Sequence, residues 1–193
     1  MRIVWIVWIV GLAGCWSGAS PPPTPPRSPH GLVITEHGWG PIDASTVATL
    51  TNLRALLPSY RVVPANDPQL EYDIYEGTQK LGFVVINDDA SVFNVHATSN
   101  RVRVDDRAWR AGEPFQDSRA LTRCECWGAN PTCYKAGEHV AVNFDRPCLD
   151  GDDPRELREL DGLAVQRVIW SVERFGAPEV PDAATDSADP SSP

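Results

Sequence analysis

Five cysteines are the residues of this chain whose type and spacing could do covalent chemistry. Cys15 closes the tetrapeptide Leu12-Ala13-Gly14-Cys15. Small residues ahead of a cysteine have the form of a bacterial lipobox. Cleavage there makes Cys15 the first residue of the mature chain, with its thiol and new amino group as acyl acceptors. The other four, Cys124, Cys126, Cys133 and Cys148, form an even set, and in an exported chain such a set oxidises to disulfides. Four cysteines allow three pairings. Joining Cys124 to Cys126 spans one residue, about 6.5–7 Å between Cα atoms in a strand, at the edge of usable geometry. If Trp127 to Thr132 forms a hairpin loop, Cys126 faces Cys133 and Cys124 is left for Cys148; this is the preferred pairing. The crossed pairing, Cys124 with Cys133 and Cys126 with Cys148, stays open. A zinc site is disfavoured because structural zinc uses Cys-x2–4-Cys pairs, unlike the single-residue spacer here. A redox-active Cys-x-Cys needs a thiol of depressed pKa, and Arg123 and Glu125 pull in opposite directions.

The leader supports the same address. Met1-Arg2 is a basic head and Ile3 to Val10 an apolar run. The stretch to Gly14 is too short to span a bilayer, which takes about 20 residues, but it suits a signal-peptide core of about 7–15. Ordinary secretory cleavage near Ala13-Gly14 or Ala19 is the alternative. Multiple acyl chains anchor stably where one does not. Trp16 and Ser17 follow the cysteine, without the Asp that retains enterobacterial lipoproteins in the inner membrane. The expectation is an outer-membrane anchor with the domain facing the periplasm, ahead of the inner membrane or the cell surface.

Other chemistry is weaker. His37, His96 and His139 lack metal-ligand spacing and read as surface or turn residues. Asp150, Asp152 and Asp153 resemble a calcium loop in charge alone, without the spacing, glycine and closing glutamate of an EF-hand. Gly38-x-Gly40 lacks a third glycine, and no Gly-x-Ser-x-Gly occurs. Trp39, Trp109, Trp127 and Trp170 could line a groove but read as core. No catalytic residue, metal or cofactor is assigned.

These groups must be positioned by the remaining chain. Residues 15–30 read as a tether; Pro21 to Pro29 cannot join a ladder and favour polyproline II, and at about 3.1 Å per residue the stretch from Trp16 to His30 reaches at most ~45 Å. Residues 177–193 carry four acidic and no basic side chains and read as a disordered tail. Residues 31–176 are the size of one domain. The net charge is −9, and removal of residues 1–14 with Arg2 makes it about −10, which argues against nucleic acid as partner.

Periodicity predicts an α+β, β-rich domain of antiparallel sheets with one or two short helices. Leu32 to Thr35 opens as a strand and Gly38-Trp39-Gly40-Pro41 turns the chain. Val47, Leu50, Leu53, Leu56 and Leu57 have helical spacing, with Asp43, Ser45 and Thr46 as capping candidates and Pro58 as the stop. Strands are expected at Tyr60–Val63, Tyr72–Tyr75, Phe83–Ile86, Val92–Val95 and Val102–Val104. Phe83–Ile86, continuously apolar, belongs at the sheet centre. A second helix-plus-sheet unit is possible: a helix near Gln116–Leu121, then strands at Thr122–Trp127, Thr132–Lys135, His139–Phe144 and Val165–Trp170.

Several stretches carry a resemblance. The lipobox, Gly38-Trp39-Gly40-Pro41-Ile42, Leu53 to Val62, Val92-Phe93-Asn94-Val95, Gly112-Glu113-Pro114-Phe115 and the paired cysteines before a closing strand look like the RpoE-regulated lipoprotein family of Gram-negative bacteria. The similarity runs from about residue 32 to 170. It implies a β-rich envelope domain of unknown function linked by regulation to envelope stress, and offers no catalytic residues. The long proline tether, extra cysteines and acidic tail depart from it. The expected function is a non-enzymatic envelope lipoprotein, held to the membrane through Cys15 and binding an envelope protein or peptidoglycan. An inhibitor or sensor module that presents a sheet to a periplasmic enzyme is the alternative.

Overall fold

A computed structural model describes residues 32–65, 70–127, 130–148, 151 and 153–177. The leader, Cys15, the tether, Asp150, Asp152 and the tail beyond 177 lie outside the described residues. Among the described residues no helix is long and apolar enough to cross a membrane.

The fold is α+β and β-rich, built from two sheets. A small sheet combines β1 (Val33–Thr35), β2 (Gly38–Trp39), β3 (Ile42–Asp43) and β8 (Arg103–Val104) in the order β3-β2-β1-β8, with β1 and β8 parallel. Gly38-Trp39-Gly40-Pro41, expected only as a turn, therefore contributes a short strand as well. Gly38 is required there: at φ 150° an added Cβ would lie 2.0 Å from the Ile42 carbonyl oxygen.

Helix α1 (Leu50–Leu56) starts later than the periodicity predicts. Thr49 caps it by accepting from the Asn52 N–H at 3.3 Å, in place of the earlier capping candidates. Val47 lies outside the helix and is 57 % exposed, because it is drawn into a bridge with Ser91. Leu57 is the C-cap and Pro58 follows, as expected.

The main sheet has eight strands: β4 (Arg61–Pro64), β5 (Glu71–Glu76), β6 (Gln79–Ile86), β7 (Val92–Ala97), β9 (Arg123–Trp127), β10 (Asn130–Tyr134), β11 (Val140–Phe144) and β12 (Val165–Ser171). Their order is β4-β5-β6-β7-β12-β11-β10-β9, antiparallel throughout. The two suspected helix-plus-sheet units are thus halves of one sheet, fused where the last strand of each half, β7 and β12, pair. The second half lacks a matching helix. Gln116–Leu121 yields only a 3-10 turn at Ser118–Ala120, whose Ser118 N–H and Oγ both donate to the Asp161 carboxylate. Helix α2 (Pro154–Arg158) lies between β11 and β12.

One register row crosses all eight strands through Val62, Ile74, Gly82, Ala97, Val168, Val142, Cys133 and Cys124. The apolar members of this row are at most 2 % exposed, and they join Trp39, Trp109, Leu53 and Phe115 in one core. Each such aliphatic side chain contributes about 1.5–3 kcal/mol by leaving water. Gly82 interrupts the row because a Cβ there would sit 1.9 Å from the His96 carbonyl oxygen. The next row, through Val63, Asp73, Phe83, His96, Ile169, Ala141 and Tyr134, lies on the opposite face. Phe83–Ile86 does lie within an interior strand, but its residues alternate between buried and half-buried because the two faces differ.

Candidate functional site: a cation groove and two disulfides

The hairpin β9–β10 decides the cysteine pairing. Trp127 pairs with Asn130, so two residues rather than six separate the strands. That register places Cys133 opposite Cys124 and Pro131 opposite Cys126. The bonds are Cys124–Cys133, with Cα atoms 4.0 Å apart, and Cys126–Cys148, at 5.6 Å. This is the crossed pairing, and the preferred one, Cys126–Cys133 with Cys124–Cys148, is corrected: its six-residue loop would have shifted the register by two. The Cys124 backbone N–H and C=O point away from β10, to Gly151, so Cys124 and Cys133 form a non-hydrogen-bonded pair, the position where opposed side chains approach most closely. All four domain cysteines are oxidised, which leaves no thiolate set for zinc, and among the described residues no group of His, Cys, Asp or Glu is arranged to hold a metal.

A second constellation lies where the small sheet meets the loop after β8. The Asp105 N–H donates to the Ile34 carbonyl at 2.9 Å, which starts this loop beside β1. Arg107, with 14 % of its side chain exposed, stacks over the Trp109 ring at 4.2 Å. Its Nη2 pairs with Glu138 and lies 3.6 Å from Glu36 Oε1, while its Nε lies 3.7 Å from Asp106. Burial alone would raise the Glu138 pKa, but hydrogen bonds and charge from Arg107 and Lys135 outweigh it and hold the carboxyl below its usual range. Glu36 is held in turn: its carbonyl accepts from Trp170 Nε1 at 3.3 Å and its Oε2 from the His139 N–H at 3.0 Å. Trp109 Nε1 donates to Asp117 at 3.3 Å.

Two cavities flank Arg107 and share it with Asp106. One, of about 430 Å³, is lined by Trp109, Arg110, Glu113, Phe115 and Asp117. The other, of about 210 Å³, is lined by Ile34, Glu36, His37, Asp105 and Val140. Flanking the same two residues, they make up a groove around Arg107 lined by both charged and apolar groups, with Trp109 and Phe115 almost fully buried behind it. Arg107-Ala108-Trp109 places a cation and an indole two residues apart in the sequence. The sequence offered Trp109 as a groove or core residue, but on an irregular segment no period says which way a side chain points, so Arg107 was not singled out.

The opposite face of the main sheet holds a polar row. Arg167 Nε donates to Asn143 Oδ1 at 3.2 Å, and Asn143 Nδ2 donates to the Pro131 carbonyl and to Thr132 Oγ1, both at 3.1 Å. Burial lowers the Arg167 pKa, offset in part by the Glu71 carboxylate. His96, expected at the surface, is 7 % exposed here because its position on β7 lies within the sheet. Burial and the Arg167 charge push its pKa down to about 3. His37 is exposed and His139 half-buried, well apart in role, with His139 Nδ1 donating to the Ser171 carbonyl at 2.9 Å. Trp39, Trp109 and Trp170 are core, at 0 %, 2 % and 1 % exposure. Asp153 is exposed beside α2.

No family model matches this chain, and no curated protein does. Among solved structures it is similar to the uncharacterized protein YfeY from Escherichia coli, at 18 % sequence identity and a TM-score of 0.50. The match covers 72 % of this chain and 98 % of that one, and it is a likeness of fold.

Proposed function

We propose that this chain is a bacterial envelope lipoprotein, anchored to the outer membrane by acylated Cys15, whose domain acts by binding another envelope component. What carries the reading is the oxidation of all four domain cysteines behind a short apolar leader that ends in a cysteine. Disulfides persist outside the reducing cytoplasm, so the pairing supports export. The groove at Arg107 is the binding surface in this reading. Its mixed charges suit a polar envelope protein or the peptide groups of peptidoglycan, and the net charge of −9 disfavours nucleic acid. The resemblance to the RpoE-regulated lipoprotein family extends the proposal to envelope integrity under stress.

Binding without catalysis fits the state of the ionisable groups. His96 is buried and neutral, and the Glu138 carboxylate is tied to Arg107 and Lys135. The alternative, an inhibitor or sensor that presents its sheet to a periplasmic enzyme, draws on the polar face around Phe83, His96 and Arg167.

Two measurements test this. Cys15→Ala should release the protein from the membrane fraction, and mass spectrometry of the wild type should find Cys15 acylated; an intact leader sinks the anchor. A photo-crosslinker at Arg110 should then capture an envelope component, whereas capture from Phe83 alone favours the inhibitor reading.

A further inference from the structure

The two disulfides differ in what shields them. Cys124 and Cys133 are both 0 % exposed, inside the core row of the main sheet. Cys126 and Cys148 are both exposed. Thiol–disulfide exchange requires a thiolate to reach a sulfur, so access separates the two bonds kinetically.

The exposed bond also holds something in place. Strand β9 is one edge of the main sheet, and an edge leaves backbone groups available to another chain. At Cys124 these groups are occupied: the Cys124 N–H donates to the Gly151 carbonyl at 2.8 Å and the Gly151 N–H donates to the Cys124 carbonyl at 3.0 Å. Gly151 lies three residues beyond Cys148 in the sequence, so the Cys126–Cys148 bond ties the chain to β9 just ahead of this backbone cap. The other edge is covered differently. There Arg54 Nε donates to the Val62 carbonyl at 3.1 Å, and Pro64 has no N–H to offer.

We propose that Cys126–Cys148 is an exchange site for an external dithiol, and that opening it uncovers the β9 edge while Cys124–Cys133 stays closed. One thiolate of the dithiol attacks a sulfur of the bond, the S–S bond breaks, and the other cysteine leaves as a thiolate that takes up a proton. The second thiol of the dithiol resolves the mixed disulfide. Two electrons and two protons pass to Cys126 and Cys148, and the dithiol becomes a disulfide. The freed cap then no longer pairs with Cys124, whose N–H and C=O become available to an added strand. The proposal is independent of the groove at Arg107.

The test uses the whole folded protein with dithiothreitol as the dithiol, timed alkylation and peptide mapping, and residue-resolved amide exchange. Cys126 and Cys148 should be labelled at least about 100-fold faster than Cys124 and Cys133, because the buried pair is reached only through local opening. With only the exposed bond reduced, the Cys124 amide should exchange at least about tenfold faster while interior β6 amides stay protected. The Cys126→Ser/Cys148→Ser variant should show the same fast Cys124 amide without reductant. Labelling of all four cysteines together overturns the proposal. So does selective reduction that leaves Cys124 amide exchange unchanged, a readout on the wild type that does not depend on the variant folding.

Discussion

His96 Nε2 lies 2.8 Å from Asn94 Oδ1, two residues back on the same face of β7, and the imidazole stacks on Phe83 with ring centroids 4.4 Å apart. An amide oxygen only accepts, so Nε2 carries the proton. Nδ1 is then a bare acceptor, buried and without a partner among the described residues. The ring is thus held in its neutral form by a partner that satisfies it and a setting that penalises its charge.

Stability should therefore fall on the acid side. The His96 pKa is about 3 folded and 6.5 unfolded, so between those values the unfolded chain binds the extra proton. The stabilisation is complete above pH 6.5 and is lost as pH falls toward 3, at about 1.4 kcal/mol per pH unit for one proton. Urea unfolding between pH 6 and 5, above the ordinary carboxylate pKa values, should approach this slope. His96→Gln should flatten it, and parallel slopes in the two proteins refute the assignment.

Gly82 should tolerate no side chain. An alanine Cβ would meet the His96 carbonyl oxygen at 1.9 Å and Ala97 Cα at 3.0 Å, both backbone atoms of a neighbouring strand. Gly82→Ala is expected to cost at least about 2 kcal/mol by urea unfolding, since overpacking must push strands apart. Gly77→Ala is the comparison: its φ is +60° with nothing within 4 Å of the new Cβ, and it should cost only about 1 kcal/mol.

Arg107 and Glu138 should be energetically coupled. Arg107→Met leaves Glu138, 19 % exposed, without its main partner beside Glu36. Breaking a largely buried pair from one side costs about 3 kcal/mol, much of it the penalty of the remaining charge. Adding Glu138→Gln removes that charge, so the double variant should recover part of the loss. A double-mutant cycle should give a coupling of at least about 1 kcal/mol; additivity would mean that the pair is only adjacent.

The two disulfides should rank by burial rather than by loop length. Their separations of 9 and 22 residues give chain-entropy terms of about 3 kcal/mol each, slightly larger for Cys126–Cys148. Cys124–Cys133 also fills the core, and Cys124→Ala/Cys133→Ala leaves a void that adds to the loss. Thermal unfolding should find that variant less stable than Cys126→Ser/Cys148→Ser. The reverse order would mean that chain entropy outweighs packing.

Much of the local structure was legible in the residues. Short β-branched and aromatic runs between turn residues marked the strands from Arg61 onward, Pro58 marked the end of α1, and the tryptophans at 39, 109 and 170 read as core. The even cysteine set announced disulfides. These are local properties: a period of two or a proline ring acts within a few residues, whatever the rest of the chain does.

Tertiary structure decided what depends on register and on distant partners. Cysteine pairing turned on whether two or six residues part Trp127 from its partner strand, and alternation alone leaves that open. The fusion of two half-sheets through β7 and β12 joins His96 to Ile169, 73 positions away. Glu36, Arg107 and Glu138 meet across more than a hundred residues, with no pattern to declare them. Side-chain period says which face a residue takes, but only closure of the sheet fixes which residues share that face. For that reason the buried neutral histidine and the groove around Arg107 belong to the fold and could not be read from the chain.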